Sequence, residues 1–376
     1  MSTLKVDAIR HNSATSDAIT TAADGTCTAK LTSVGGGGLS HRNIIINGGV
    51  IVHQRGGTHT HSGSSSNYYG PDRFMHNCTG NGKTSIQQST DAPNGFTNSL
   101  LITTTTQAAT ASSDIAYVGQ YIEANNMTQL GWGASGATTA TLSFYVKSSL
   151  TGNFAFWTIF KDSTASNHFT FTINSANTWE RKTITIPALT SGGVASGVGR
   201  GMSVQFDTGT GSAKNGTAGT WSLDTNNLTE SGTVKLTANA GATLQVTGLQ
   251  LEVGDTATTF EHRRWNEEYL DCCRYYQSTI YVQSGNAYNV CATRAIGSTV
   301  LQMSNVGFKT MMRSTPSIVL YNGTEANKIR SSGGGNITLN SPTIGGVPHG
   351  INYLSVSSGL TNEEWYQFNY TAEAEL

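Results

Sequence analysis

The chain has 376 residues, 12% of them charged against the ~25% usual for soluble domains, and a formal net charge of −1. With no basic stripe to replace phosphate counterions, the composition argues against nucleic-acid binding. The apolar run Ile44-Ile45-Ile46 breaks at Asn47-Gly48-Gly49, and no apolar run approaches the roughly 20 residues a membrane helix needs.

Gly, Thr, Ser and Asn fill the place of the missing charge, and only 6 prolines occur. Such a chain reads as all-β, built from many short strands and turns. Five cysteines, Cys27, Cys78, Cys272, Cys273 and Cys291, show neither disulfide nor zinc spacing and read as reduced, packed thiols. The opening residues carry no apolar leader. Free thiols in a Ser/Thr/Asn-rich chain fit assembly in a cytoplasm followed by release through lysis.

Residues 1–43 form the first segment. Leu4, Val6, Ile9, Ile19 and Leu31 are isolated among polar residues, so no core forms there, and Gly35–Gly38 mark a joint. The expectation is an extended attachment arm with a Gly-rich linker.

From 44 to 262 the apolar period is two, the signature of half-buried sandwich strands. Leu142, Phe144 and Val146 share one face, opposite Ser143, Tyr145 and Lys147. Phe154/Phe156/Phe160, Phe169/Phe171/Ile173, Ile184/Ile186, Val204/Phe206 and Val234/Leu236 repeat the pattern. The last strand changes phase, from Leu244 and Val246 to Leu249, Leu251 and Val253, which predicts a β-bulge near Thr247-Gly248.

The spacing of Trp265, Tyr269 and Cys272 or Cys273 predicts a short helix within 263–276, with Asn266, Glu267 and Glu268 favourably near its N-terminus. Residues 277–376 return to strands, expected at 279–283, 288–293, 300–308, 317–321, 336–339, 351–356 and 365–370. The sequence Trp365-Tyr366 with Phe368 and Tyr370 puts aromatics on both faces of the last strand. Burial of both faces predicts an oligomer interface, and the helix's aromatic face must pack on the adjacent sandwich or on sister helices about a three-fold axis, so 263–276 and the following strands are expected to form a C-terminal β-sandwich.

Four stretches carry a resemblance to the short, jelly-roll-containing tail fibre proteins of bacteriophages, marine phages especially. They are STLKVDAIRHNS with AITTAADGTC, RNIIINGGVIVHQRG with YYGPDRF, LSFYVKSSLTGNF with ANTWERKTITIP, and LQVTGLQLEVGDTATTFEHRRWNEEYLDCCRYYQ. Where the family usually places a Trp-type aromatic after Asp-Arg, this chain has Phe74, which fills the same core slot. The resemblance implies a homotrimeric virion protein with an N-terminal arm on phage tail or nozzle proteins. Its middle jelly roll would resemble carbohydrate-binding modules, its helix (Trp265, Tyr269, Tyr276) would join three chains, and its partner outside the virion would be a host-surface glycan.

Sugars are held by aromatic faces with polar groups at their edges. Tyr68-Tyr69 in a Ser/Asn-rich stretch, Trp132 between glycines and Trp221 before Asp224 are the ligand-binding candidates, whereas Trp157 and Trp179 read as structural. His59 and His61 would give three chains six imidazoles for a metal, yet their Gly/Ser setting reads as a solvated loop. Asp255, Glu252, Asp207 and Asp91 are candidate ligands for a structural calcium, with no diagnostic spacing. No other cofactor is expected.

Glycan hydrolysis requires two carboxylates across the sugar. Asp207, Asp224, Glu230, Asp162 and Glu180 are available, but no repetitive β-helix or Gly-x-Ser-x-Gly elbow accompanies them. The expectation is a non-enzymatic adhesin, with a structural tail adaptor and a glycan-cleaving tailspike as alternatives.

Overall fold

The period-two segment folds into two antiparallel six-stranded sheets packed face to face. A computed structural model of the chain describes residues 6–9, 19–21, 23–24, 27–29, 40–63, 68–161, 164–283, 286–339, 342–356 and 359–376. The Gly35–Gly38 joint and most of the expected arm lie outside them. The described part of that arm holds a small antiparallel sheet of β1 (Ala8–Ile9), β2 (Ile19–Thr21) and β3 (Cys27–Ala29).

The sandwich strands are β4 (Thr58–Thr60), β5 (Tyr68–Tyr69), β6 (Met75–Cys78), β7 (Lys83–Ser89), β8 (Ser99–Thr106), β9 (Ala116–Glu123), β10 (Ala140–Ser148), β11 (Gly152–Phe160), β12 (Ala165–Ile173), β13 (Glu180–Ile186), β14 (Arg200–Asp207) and β15 (Thr243–Val253). One sheet runs β13-β10-β15-β8-β7-β4, the other β12-β11-β14-β9-β6-β5. Their facing sides bury the expected alternating residues, with Leu142, Phe144 and Val146 opposite Phe154, Phe156, Phe171 and Phe206 in one core. Phe74 is in that core as well. Val234 and Leu236 depart from the expectation. Leu236 is buried, but in a single 3-10 turn at Leu236–Ala238, because the chain there closes one end of the sandwich instead of pairing with a sheet.

The phase change in β15 is a bulge. Ser143 pairs with Gln250 and Tyr145 with Thr247, so three steps along β15 oppose two along β10, and Gly248 takes φ +62. Leu244, Val246, Leu249 and Leu251 consequently all reach the core.

The histidine pair is a correction. His59 lies in the edge strand β4 and His61 directly after it, and His61 is buried, not in a solvated loop. The His59 ring meets Gly56 O at 2.7 Å, and His61 is buried edge-on to His76 at 5.5 Å while accepting from Cys78 N. Burial, with neighbouring His61 and His59 adding to it, pulls His76 from 6.5 down to about 3. The folded state thus resists a proton that the unfolded chain accepts near pH 6.5. The His76 contribution is complete above that pH and is lost as pH falls towards 3. His53, lowered to about 4 by burial, His59 and Arg55, adds a smaller loss in the same direction. Chemical denaturation should show that a His76→Asn variant has about 3 kcal/mol less dependence of stability on pH between 7 and 4 than the parent chain. Equal dependence in both would refute this role.

The helix α1 spans Trp265–Cys273, shorter than 263–276. It buries Glu268, Cys272 and Cys273 against the sandwich and leaves Trp265 outside. Glu268 accepts from Asn47 N at 2.6 Å, and Arg274 makes a bidentate pair with Glu123 at 2.7 and 2.9 Å. Burial pushes the thiol of Cys273 up to about 11, consistent with an unreactive packed cysteine.

Beyond α1 come β16 (Tyr276–Ser278), β17 (Tyr281–Gln283), β18 (Asn286–Tyr288), β19 (Cys291–Ala295), β20 (Val300–Gly307), β21 (Ser317–Asn322), β22 (Glu325–Ala326), β23 (Lys328–Ser331), β24 (Asn336–Thr338), β25 (Thr343–Val347), β26 (Gly350–Ser355) and β27 (Trp365–Glu373). The long β27 serves two layers. Its first half pairs with β19 and β23, its second with β21 and β16. Between the layers lies a second core that includes Leu301, Leu320, Leu354, Tyr366, Phe368 and Tyr370. This corrects the two-faced reading of β27. Tyr366, Phe368 and Tyr370 all point into this chain's own core, and of the four aromatics only Trp365 faces out, at 54% exposure.

Residues 373–376 return to the sandwich. Glu375 forms ion pairs with Arg73 and, at 3.3 Å, with Arg55. Arg73 lies 3.5 Å from the Tyr275 ring centroid and donates to Tyr121 O. Arg313 donates to the carbonyls of Ala374 and Glu375 at 2.8 and 2.9 Å.

Candidate functional site

Outward-pointing residues of a sandwich strand face solvent unless something covers them. On the sheet containing β10, the outer face carries Ser143, Tyr145 and Lys147, flanked by Arg181 of β13. Two loops rise beside them: residues 94–97, ahead of β8, and residues 257–262, after β15. They enclose a cleft of about 560 Å³ lined by Phe96, Tyr145, Phe260, His262, Arg181 and Ser143, among others.

Its wall is a cluster of four rings. Phe96 lies 5.4 Å from Tyr145, 5.0 Å from Phe260 and 5.3 Å from His262, and Phe260 stands edge-on to His262 at 4.9 Å. The bulge makes room for this. A Cβ on Gly248 would sit 2.6 Å from the Phe96 ring and 3.2 Å from that of Tyr145. The missing side chain thus lets both rings settle on the strand.

The residues after the bulge hold the second loop. With Leu249 and Leu251 turned inward, Gln250 and Glu252 turn outward. Gln250 donates to Thr259 O at 3.2 Å and accepts from Glu261 N at 2.8 Å. Glu252 accepts from Thr258 N at 2.9 Å and from its hydroxyl at 2.7 Å. Arg181 donates to Thr258 O at 2.8 Å. The loop backbone is pinned by side chains of the sheet beneath it, so the aromatic wall is pre-formed. Farther along the same face, Lys147 lies 5.3 Å over the Trp179 ring, and Asp91 accepts from the Trp179 indole at 3.2 Å.

The expected ligand residues fare differently. Trp132 is 2% exposed, packed against Phe160 and Trp221, with its indole N–H on Thr138 O at 2.7 Å, so no ring face remains for a ligand. Tyr69 donates to Leu376 O at 3.0 Å and sits beside Arg55, a contact within the chain. Tyr68 of β5 pairs with His76 of β6, and its side chain lies outside the described residues. Trp221 alone borders a hollow, of about 320 Å³, with Asn215, Thr217, Asp224 and Asn227. There, however, the Asn227 amide is spent on Thr217 O, Thr220 O and His168. That hollow offers a single aromatic, whereas the cleft offers four rings.

Of the expected interface residues, Tyr276 is buried with Arg55 stacked 3.7 Å over its ring, which removes it from any intermolecular surface. Trp265 is 52% exposed and stacks on the half-buried Tyr269 at 4.8 Å and 12°, and Leu270 on the same helix is exposed too.

The calcium candidates do not converge. Among the described residues no three His, Cys, Asp or Glu side chains form a metal-ligand group. Asp207 accepts from Gly209 N, Thr210 N, Thr229 and Lys235, and Glu252 serves the loop. Of the carboxylates considered for hydrolysis, Asp207 is thus saturated, Glu180 holds the turn at Asn174 and Ser175, and Asp162 lies outside the described residues.

Phe96, Tyr145, Phe260 and His262 were missed as a site in the sequence. The signal existed: Tyr145 is a large aromatic on the polar side of an alternating strand, and Phe260 lies in the TTFEHRR corner.

No protein-family model matches the chain, and no curated protein sequence matches it. Solved structures give matches at low similarity. The enzymatically active domain of tailspike protein 4 of bacteriophage CBA120 is 12% identical with a TM-score of 0.28, covering 56% of this chain and 21% of that one. The family 11 carbohydrate-binding module of Clostridium thermocellum, solved with a β-1,3-1,4-mixed-linked tetrasaccharide, is 10% identical with a TM-score of 0.27, covering 55% and 98%. The CBM22-1 xylan-binding domain of Paenibacillus barcinonensis Xyn10C is 10% identical with a TM-score of 0.26, covering 60% and 100%. This chain thus spans about a fifth of the tailspike chain.

Proposed function

We propose that this protein binds a saccharide chain in the cleft between Tyr145 and the Phe96–Phe260–His262 wall. The observation that carries the reading is the pre-formed aromatic wall above a polar sheet face, open because Gly248 has no side chain. A pyranose offers apolar faces to the rings and hydroxyls to Arg181, Ser143 and Asn94, which line the same space. No carboxylate is among the described residues lining the cleft, and hydrolysis needs two, so the activity proposed is binding without cleavage.

Together with the sequence resemblance, this supports reading the chain as a homotrimeric phage tail fibre. Its N-terminal arm attaches to the tail or nozzle, and its sandwich reads a host-surface glycan. The exposed Trp265–Tyr269 stack with Leu270 is the surface proposed to meet sister chains. Sedimentation should give three times the mass of the chain, reduced by Trp265→Ala combined with Leu270→Ala; a stable monomer of the parent chain contradicts the trimer.

The glycan reading is tested on an array of bacterial surface oligosaccharides. Tyr145→Ala and Phe260→Ala should each weaken the bound signal by about tenfold or more, since a stacked ring carries on the order of 1 kcal/mol beyond its buried area. Parent-like binding by both variants contradicts the cleft.

A further inference from the structure

The outward face of the C-terminal sheet carries a row of side chains that the cleft does not use. Trp365 of β27 pairs with Arg294 of β19, Arg294 with Gln302 of β20, Gln302 with Tyr353 of β26, and Tyr353 with Gly345 of β25. Directly paired residues project to the same side of a sheet, so these five positions form one line across five strands. Their sequence neighbours Tyr366, Ala295, Leu301 and Leu354 are buried in the core on the opposite side. Trp365 is 54% exposed and Tyr353 44%, and Arg294 and Gln302 between them are exposed too.

Two features show that this face is built. A Cβ on Gly345 would lie 2.3 Å from the Tyr353 ring, so the ring lies down across the neighbouring strand where the glycine leaves space. A ring laid flat turns one face to solvent. Arg294 is held in place, its Nε donating to Glu363 O at 2.9 Å and its Nη2 2.8 Å from the Glu363 carboxylate.

The composition selects the occupant. A stable protein partner needs about 800 Å² per side with an apolar centre depleted in charge. Here an arginine and a glutamine occupy the centre, and the two aromatics stand three strands apart, about 14 Å at the usual strand spacing. Two separated ring faces with polar groups between them suit an extended, hydroxyl-rich chain.

We propose that this face is a second glycan-binding surface. An oligosaccharide longer than a single sugar lies across the strands, stacking on Tyr353 and Trp365, with Arg294 and Gln302 meeting its hydroxyls. The inference rests on the reading of the protein as a glycan binder and extends it. Two sites on one chain let a long polysaccharide engage both, raising apparent affinity through effective concentration.

The test uses the full chain on the same oligosaccharide array and on immobilised polysaccharide from a host that the array identifies. Three variants are compared: Tyr145→Ala in the cleft, Tyr353→Ala with Trp365→Ala on the outer sheet face, and all three changes together. The sheet-face variant should lose roughly tenfold or more on polysaccharide, and the triple variant should lose the binding that Tyr145→Ala retains. Arg294→Gln, which keeps both rings, should show a smaller loss in the same direction. If the sheet-face variant binds like the parent while Tyr145→Ala does not, this inference fails and the cleft reading stands. A change in oligomeric mass without a change in binding also overturns it, making the face a contact between chains. A parent chain that binds no glycan overturns both.

Discussion

Replacing Glu375 with alanine is expected to cost the folded protein about 3–5 kcal/mol, the loss typical when one partner of a buried ion pair is removed. The side chains of Arg73 and Glu375 are 2% and 4% exposed. Arg73 is sandwiched between the Tyr275 ring, at 3.5 Å, and Tyr121 O. Without Glu375 its charge stays buried, with little water to replace the lost carboxylate. Arg55, which shares Glu375 at 3.3 Å, retains Glu373 at 3.6 Å and suffers less. Because desolvation offsets much of an ion pair's attraction, the double variant Arg73→Met with Glu375→Leu should recover most of the loss. Urea denaturation of the parent chain, Glu375→Ala and the double variant measures this directly. A Glu375→Ala chain as stable as the parent would show that residues 373–376 do not fasten the C-terminal strands to the sandwich.

Gly248→Val should damage stability and binding together. The position has φ +62, which a β-branched residue adopts only under strain. The new Cβ also meets the Phe96 ring at 2.6 Å. Backbone strain and ring displacement together are expected to cost about 3 kcal/mol. The displaced Phe96 ring moves into the space the saccharide is proposed to take, so glycan binding should fall by about tenfold or more. Combining Gly248→Ala with Phe96→Leu separates the two effects. If the clash dominates, the double variant should be more stable than the sum of the single changes predicts. Unaltered binding in a folded Gly248→Val chain would disconnect the bulge from the site.

Much of this architecture was legible because strand periodicity survives in the sequence. The alternation at 142–146 placed β10, and the slip between Val246 and Leu249 located the bulge near Thr247-Gly248. What periodicity could not show was where loops go. Trp132 sits between two glycines and looked like an exposed loop aromatic. In the fold, Gly131 and Gly133 have positive φ and turn the chain back, driving the indole under Phe160 and Trp221. Glycine there signals chain reversal, not exposure. Tyr276 misled for another reason. It is packed by Arg55, more than 200 residues earlier in the chain, and such a pairing leaves no local pattern.

The cleft was hidden in the same way. Tyr145 was visible on the polar side of its strand, but Phe96 and Phe260 come from loops far apart in the chain, one ahead of β8 and the other after β15, and only the sheet brings them within 5.4 Å of one another or of Tyr145. The last strand taught the opposite lesson. Its run of aromatics suggested two buried faces, yet β27 crosses between two layers and one intramolecular core receives Tyr366, Phe368 and Tyr370.

The most direct test is a crystal structure of the protein with the oligosaccharide that binds it best on the array. The account predicts a pyranose ring stacked within the cleft formed by Tyr145, Phe96, Phe260 and His262, with Arg181 at hydrogen-bonding distance from a hydroxyl. A bound sugar seated only against Trp221, with that cleft empty, would contradict it.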